Sequence, residues 1–556
     1  MKKEKLKIGI LLNNLSVSAW QYKLLETIAR SNYAEIKLIV KNNSQLWHQP
    51  LTLANIWRKR ARLWHQVQLL LDRKVAKVKS DCLASKNVAD LLRDVPVLEC
   101  TPHETRFIDR LRPEDVENIQ SYQLDVLIRF GFRILKGPIL KAAKYGIWSY
   151  HHGDNRVNRG GPPAYWEVIE QWPETGAILQ ILSEDLDGGQ VIYRSWGPTR
   201  KLTIHQNLNN VYWRSVSFVP RVLKVLYEQG EAGLNKLIAR FNHPLEFYDR
   251  KLYHAPSNLL ALNHMLKHMA YLARLSFRRQ FFHDNWTLYY HIAKKGGPAL
   301  SFRQYKSLPT PKNCFWADPF VCQKDGKYYI FLEELPYKTK KGHIALITLG
   351  EKGQYEGVQT ILKKDYHLSY PFIFEWEGEW YMIPESSQNR TIELYRCTRF
   401  PDQWEFVMNL MENICAADAT LIHHQHKWWL FAAVDEMEGL ASYNDELFLY
   451  YCEDLFTQNW VSHPANPIVS DVKRSRPAGK IFWQDGKLIR PSQDCSGQYG
   501  SAINFNEIVR LTEEDYEEKF LFQVKPDWHP SLKGMHTFNF DLNISIIDGF
   551  SYKRRI

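Results

Sequence analysis

The sequence predicts two fold classes in one chain: an α/β, doubly wound domain over residues 1–230 and an all-β, five-bladed propeller over residues 286–556, joined by a helical connector over 231–285. Three observations carry this. At 556 residues the chain exceeds one ordinary domain. Its first part alternates apolar strand runs with helical stretches, the pattern of a parallel sheet whose ligands sit beyond the carboxyl ends of its strands. From Trp286 onward the texture changes to short aromatic strands and tight turns, with one plan repeated at roughly fifty residues, the scale of a propeller blade.

Residues 6–12 form an apolar run suited to a first buried strand, followed by a loop and a helix starting near Ala19. Further strands are read at 35–40, 95–98, 124–130 and 146–150, and a long closing helix at 202–228. In the connector, Leu259, Leu262, Met265, Leu266, Met269, Leu272 and Leu275 keep helical spacing and lead into the basic pair Arg278–Arg279. A packed connecting helix and a membrane-lying one both fit that pattern.

The repeat rests on four segments: FWADPFVCQKDGKYYIFLEE from Phe315, SYPFIFEWEGEWYMIPES from Ser369, AADATLIHHQHKWWLFAA from Ala416 and SRPAGKIFWQDGKLIRPSQD from Ser475. They align on Pro319, Pro371, Ala419 and Pro477, and the dipeptides Asp325–Gly326, Glu377–Gly378 and Asp485–Gly486 supply hairpin turns. A fifth unit, GMHTFNFDLNISIIDG from Gly534, closes the ring together with the strand that starts at Trp286.

Composition narrows the function classes. An apolar fraction of 45% with 19 Trp, 29 Tyr and 27 Phe excludes a disordered chain. The apolar run after MKKEKLK is too short for a signal peptide, and no stretch reaches the roughly 18 apolar residues of a membrane span. The eight cysteines (Cys82, Cys100, Cys314, Cys322, Cys397, Cys415, Cys452, Cys495) form no CxxC pair, so no metal site is read from them and a reducing cytoplasm is the simplest setting. Much of the net charge of +11 lies at 57–79, where Arg58, Lys59, Arg60, Arg62, Arg73, Lys74, Lys77 and Lys79 face Asp72 alone. Trp57, Ala61, Trp64, Leu71, Val75 and Val78 recur at helical steps there. This basic amphipathic helix is either a solvated face packed on its own domain or a peripheral contact with the inner face of a membrane. No nucleic-acid motif accompanies the charge.

The chemistry sits between Asp125 and Ile192. The buried run DVLIRFGFRIL leads into GIWSYHHGDNRVNRGGPPAYWEV and then TGAILQILSEDLDGGQVI. In order and spacing these elements resemble the folate-dependent formyltransferases, especially the branch acting on sugar nucleotides. That family places Asn-x-His after its fifth strand, then a loop ending in Arg-Gly, then Leu-Asp-x-Gly. The matching residues are Ser149-Tyr150-His151, then Asn158-Arg159-Gly160-Gly161, then Leu186-Asp187-Gly188-Gly189.

The resemblance implies a Rossmann-like fold over about 200 residues and 10-formyltetrahydrofolate as formyl donor, with His151, Asp187 and Ser149 catalytic. It also implies donor-binding residues Phe130, Gly131, Gly188 and Gly189, and acceptor-binding residues His152, Asp154, Asn155, Arg159 and Trp166. The sequence departs from the family at Ser149, where a short hydroxyl replaces a reaching amide.

The second half resembles glycoside-hydrolase-type five-bladed propellers and the similar domain found with glucosamine inositolphosphorylceramide transferases. The resemblance implies a central funnel lined by Asp318, Glu385, Asp418, Arg476, Arg490, Asp494 and His536, while Tyr370 stands where a hydrolase keeps an acid. Together the halves lead us to expect an N-formyltransferase whose acceptor is an amino sugar, as nucleotide or glycan, in surface-polysaccharide or glycolipid synthesis. Two alternatives stay open: a carbohydrate-binding scaffold with a decayed transferase site, and a propeller glycosidase or glycosyltransferase with an accessory amino-terminal domain.

Overall fold

The apolar runs of the first 200 residues become one seven-stranded sheet. The computed structural model describes residues 3–44, 62–105, 107–185, 188–243, 248, 250–294 and 296–555. It divides into two units, Met1–Ala270 and Tyr271–Ile556. The first holds β1 (Leu6–Leu12), β2 (Ala34–Asn42), β3 (Val97–Cys100), β4 (Val126–Arg129), β5 (Ile147–His151), β6 (Glu174–Ile181) and β7 (Gln190–Pro198), in the sheet order β7-β6-β5-β4-β1-β2-β3. The five strands from β3 to β5 are parallel, and β6 and β7 join antiparallel. Ile8, Ile10, Leu11, Val126, Leu127, Ile128, Ile147 and Trp148 are fully enclosed, as a sheet covered on both faces requires.

The helix expected at 202–228 is two helices, Ile204–Ser215 and Phe218–Asn242. The second bends at Gly230, whose φ of 67° lies in the left-handed region, and continues into the stretch read as connector. Beyond it runs the helix Asn258–Phe281, which encloses only Ala261 and His264. Of the apolar row read there, Leu259, Leu262, Leu266 and Met269 stay exposed, Leu259 at 80% and Leu266 at 55%, while Met265, Leu272 and Leu275 are half-buried.

The basic helix spans Leu63–Val75, and Trp57 and Ala61 of its expected stripe lie outside the described residues. Its apolar row is inverted relative to burial: Trp64, Leu70, Leu71 and Val75 are exposed, while His65 and Gln68 are buried. The reason is polar anchoring. Tyr165 donates its hydroxyl to Gln68 Oε1 at 2.9 Å, and the Asp72 carboxylate accepts the backbone N–H groups of Ile204 and His205 at 2.9 and 2.7 Å. That carboxylate satisfies the open N–H groups at the start of the next helix.

The second unit is almost entirely sheet. It contains five four-stranded antiparallel sheets, four of them built from consecutive strands within 314–362, 369–412, 416–462 and 482–524. The fifth joins both ends of the unit, because Phe282–Ile292 pairs along its whole length with Ile544–Arg554. Three sheets break register at the same place in their first strand: between Ala317 and Phe320, Ser369 and Phe372, and Ala417 and Thr420. Asp318, Tyr370 and Asp418 occupy those bulges with φ of 50°, 42° and 54°. Non-glycine residues rarely hold that conformation unless their surroundings enforce it.

Candidate functional site

Parallel pairing puts Ser149 of β5 in register with Arg129 of β4 at the carboxyl ends of their strands. Both line a cavity of about 160 Å3 together with His151, Gln180, Glu184 and Gly189. A larger concavity of about 620 Å3 includes Leu124, Asp125 and Gly146, at the amino ends of β4 and β5. Doubly wound sheets bind ligands at the opposite end, so the smaller cavity is the candidate site.

Arg129 donates from Nη1 to Ser149 Oγ at 2.9 Å and from Nη2 to the Phe132 carbonyl at 3.3 Å. Its Nε is enclosed and meets no acceptor among the described residues. Burial holds its pKa below the ordinary arginine value, although the nearby Asp109 carboxylate opposes that shift. His151 Nε2 lies 2.7 Å from the Asn158 carbonyl oxygen. A carbonyl only accepts, so Nε2 carries hydrogen and, in the neutral ring, Nδ1 is the basic nitrogen. Asn158 in turn donates to Glu167 Oε1 at 3.4 Å, and burial pushes that carboxyl up to about 7. The site therefore contains a guanidinium donor, a hydroxyl and an imidazole of fixed tautomer.

The other expected residues separate by strand parity and by loop bracing. His152 follows His151 but faces the other way, stacked on Tyr212 at 3.9 Å and edge-on to Trp20 at 5.3 Å. Its Nε2 is enclosed without a partner among the described residues, and burial pushes its pKa down to about 3. It is packing, not an acceptor ligand. Asp154 is a buried brace, paired with Arg194 at 2.5 Å and Arg156 at 3.0 Å and accepting Trp196 Nε1–H at 2.9 Å. Burial pushes its carboxyl up, but the two arginines outweigh this and leave it below its ordinary value. Arg159 donates Nε–H to the Asn155 carbonyl at 2.8 Å and lies over Tyr248, so both residues shape the loop.

Trp166 is buried against Tyr165, Tyr253 and His264 in a separate core cluster. Phe130 sits edge-on to Trp20 at 5.5 Å, and a Cβ on Gly131 would lie 2.5 Å from the Asn13 backbone nitrogen. Both pack the strand tip. A Cβ on Gly189 would lie 2.6 Å from the Ile181 carbonyl, and one on Gly188 2.8 Å from the Asp185 Cβ, which keeps that turn tight. Asp187 and Leu186 lie outside the described residues.

In the second unit the aligned repeat positions converge. Arg476 contacts Asp418 at 2.6 Å and Glu385 at 3.3 Å, and the Tyr370 backbone N–H donates to Asp318 Oδ2 at 3.3 Å. His536 reaches Asp548 at 2.5 Å and Asp318 at 3.5 Å, and these three bring ligand atoms within 4.8 Å of one another. Burial raises Asp318, partly offset by His536, and pushes Asp418 up to about 7 against the pull of Arg476. Burial pulls His536 down, yet Asp548 and Asp318 outweigh it and leave it above its ordinary value. Tyr370 donates or accepts at Thr420 Oγ1 at 2.8 Å and accepts the Gly479 N–H, a structural role.

Arg490 and Asp494 do not join this group. Arg490 pairs with Glu518 at 2.7 Å, and Asp494 accepts from Gln523 at 2.9 Å, both on the outer strand of their own sheet. Side chains alternate along a strand, so the intervening Gln493 points to the cluster instead, donating to Asp418 Oδ2 at 2.8 Å. Sequence reading missed Gln493, Asp548 and Arg129. Arg129 carried a usable signal: a charge inside an otherwise apolar run, DVLIRFGF, that the alternating pattern reads as a buried parallel strand.

Comparison with known proteins gives two separate likenesses. Residues 295–543 match the family described as glucosamine inositolphosphorylceramide transferase 1, N-terminal. Glucosamine inositolphosphorylceramide transferase 1 of Oryza sativa subsp. japonica is 35% identical over 211 residues, which cover 37% of this chain and 28% of that protein. Methionyl-tRNA formyltransferase of Bacillus thuringiensis subsp. konkukian (strain 97-27) is 27% identical over 107 residues, covering 18% of this chain and 34% of that protein. The chain thus spans about a third, or less, of the length of these relatives. Among solved structures, the catalytic domain of the Coprinopsis cinerea GH62 α-L-arabinofuranosidase aligns with a TM-score of 0.33 and 10% identity, over 46% of this chain and 97% of that one.

Proposed function

We propose that the first unit moves a formyl group from 10-formyltetrahydrofolate to an amine, and that the five sheets of the second unit are the blades of a propeller that engages the saccharide bearing that amine. The observation that carries the first part is the Arg129–Ser149 pair beside His151 in one cavity at the carboxyl end of the sheet. The family's amide donor is absent at 149, and a guanidinium from the neighbouring strand stands in its place. The Arg129 guanidinium lines the cavity, and its Nε has no acceptor among the described residues; such a donor fits a carbonyl oxygen, which is what a formyl group presents.

The donor would lie against Gln180 and Gly189, which line this cavity, and would supply the activated one-carbon group. The chain's own residues do the rest. Arg129 meets negative charge as it builds on the formyl oxygen, where a fixed donor in an enclosed site counts most. His151 takes the proton of the attacking amine and returns it to the departing tetrahydrofolate nitrogen. Ser149 keeps the guanidinium aimed.

In the second unit every carboxyl of the central cluster has a charged or hydrogen-bonding partner, which favours binding a saccharide over hydrolysing one. The exposed apolar rows of Leu63–Val75 and Asn258–Phe281, flanked by Arg73, Lys74, Lys267 and Arg274, fit peripheral attachment to an anionic bilayer. No helix among the described residues is long and apolar enough to cross a membrane. The eight cysteines are all free, which suits a reducing, cytoplasmic setting. The test is incubation with 10-formyltetrahydrofolate and a panel of amino-sugar nucleotides, following tetrahydrofolate release. Turnover with one amine supports the reading; no turnover with any, together with no folate binding by calorimetry, overturns it.

A further inference from the structure

The second unit carries a concavity of about 230 Å3 that no sequence motif marks. Its floor is aromatic. Trp286 and Phe550 are buried with ring centroids 5.2 Å apart, and Tyr499, 40% exposed, stands edge-on to Trp286 at 6.4 Å. Its rim is basic. Arg278 and Arg279 come from the last turn of the helix Asn258–Phe281, and Arg278 lies 4.3 Å over the Tyr552 ring. The strand pairing sets Arg554 opposite Phe282, on the same face of the sheet as Tyr552. Asp284 is the one acid in the lining.

We propose that this pocket binds a single saccharide unit carrying an anionic group, a phosphate, phosphodiester or carboxylate. Each part of that statement has its own cause. A sugar ring shows apolar C–H faces and polar edges, and the aromatic side chains offer matching apolar surfaces with the Tyr499 hydroxyl as a polar tip. The volume is below the roughly 300–1,000 Å3 of pockets for drug-sized ligands, so one ring fits better than an oligosaccharide. A guanidinium fork matches the geometry of phosphate and carboxylate oxygens, and two adjacent arginines select an anion over a neutral sugar. The excess of positive charge excludes a metal ion, and one small pocket does not follow a nucleic-acid strand.

The pocket also adjoins the acid cluster. Trp286 stacks on His536 at 4.0 Å with planes 16° apart, and the Arg476 guanidinium lies 5.0 Å from the Tyr499 ring centre. An occupant therefore touches residues packed against His536 and Arg476 of the cluster. The inference does not depend on formyl transfer in the first unit.

The experiment uses the full chain, with binding read by calorimetry and by tryptophan fluorescence. The probes are glucose 1-phosphate, glucuronate, neutral methyl glucoside, inorganic phosphate, and vesicles displaying a glycosyl-phosphate lipid. Anionic saccharides should bind saturably, in solution or on vesicles, and at least about tenfold more tightly than methyl glucoside or inorganic phosphate. Preference for the vesicle arm identifies a glycolipid headgroup; equal binding in solution identifies a free sugar phosphate or uronate. Arg279→Glu, an exposed change that leaves the core intact, should weaken binding by about tenfold or more, and Tyr499→Leu should do the same. Two results overturn the proposal: no saturable binding of any anionic saccharide, or equal affinity in wild type and Arg279→Glu. Inorganic phosphate binding as tightly as the sugar phosphate overturns the saccharide part.

Discussion

Replacing Arg129 with methionine tests the transferase site at its most unusual residue. The change removes the guanidinium but keeps an unbranched side chain of similar reach. Two acceptors lose their donor, Ser149 Oγ and the Phe132 carbonyl, while the unpartnered Nε disappears with the charge. Each orphaned acceptor costs about 1–3 kcal/mol, partly offset by the relief of an enclosed, unsatisfied cation. The net change in stability should therefore be modest, with thermal unfolding shifted by a few degrees at most. The effect on catalysis should be large. Losing one donor at a developing oxyanion costs roughly 2.7–4 kcal/mol, or about 10²–10³ in kcat. The assay is tetrahydrofolate release at saturating donor and acceptor, beside a thermal melt of each variant. Adding Ser149→Asn to the Arg129→Met background restores the amide of the family pattern and should recover about tenfold or more of the lost rate. A kcat for Arg129→Met within about threefold of wild type, in a protein that melts normally, would refute the assignment of Arg129 as donor.

Asp154→Ala removes the buried carboxylate that pairs with Arg194 and Arg156 and accepts from Trp196, so unfolding free energy should drop by about 3–5 kcal/mol in a denaturant titration; a loss below about 1 kcal/mol would show that the loop is braced by other contacts. The acid cluster predicts a pH trend. Asp418 is raised to about 7 in the folded chain, so it binds a proton that the unfolded chain releases near its ordinary value, and stability falls as pH rises from about 4 to about 7. His536, also raised, adds stability present below its unfolded value and lost as pH climbs through its folded one, so both act in the same direction. His152, held down to about 3, acts the other way, so the trend is read against Asp418→Asn: wild type should gain stability relative to that variant as pH falls from 8 to 5.5, and no such gain would contradict the raised Asp418. For the membrane reading, Leu70→Glu combined with Leu266→Glu should cut co-sedimentation with phosphatidylserine vesicles by about tenfold or more, whereas equal sedimentation would show that these exposed rows are not the contact.

The fold was legible where burial alone decides the pattern. The run at 6–12 is recovered as Leu6–Leu12, and the expected strands at 35–40 and 146–150 are shifted by no more than two residues. Such strands are enclosed on both faces, so apolarity marks their whole length. The two helices with basic ends were legible as helices but not in orientation. Periodicity identifies an apolar face without saying what covers it, and in Leu63–Val75 the anchoring contacts come from His65, Gln68 and Asp72 on the polar side. Those contacts join residues more than ninety positions apart, beyond the reach of any local pattern.

Site residues were legible to the accuracy of one step along a strand. His151 and His152 are neighbours of one residue type, yet one lines the cavity and the other is sealed against Tyr212. Gln493 reaches Asp418, while Arg490 and Asp494, richer in apparent chemistry, face an outer strand. A resemblance supplies the neighbourhood; the pleat then decides which side chain enters it. The aligned repeat positions escape this ambiguity because the bulges fix them. Asp318, Tyr370 and Asp418 each sit at a register break with positive φ, and all three turn toward one network: Tyr370 meets Asp318 through its backbone and Thr420 through its hydroxyl, and Arg476 meets Asp418. A strained conformation repeated in three sheets persists only where the surroundings hold it. Here the holding contacts run between sheets, from Asp318 to Thr537 at 2.7 Å and from Asp418 to Gln493 at 2.8 Å. The cluster thus ties sheets to one another alongside the apolar cores they share, and a ligand that displaced Arg476 or His536 would act on several sheets rather than on one strand.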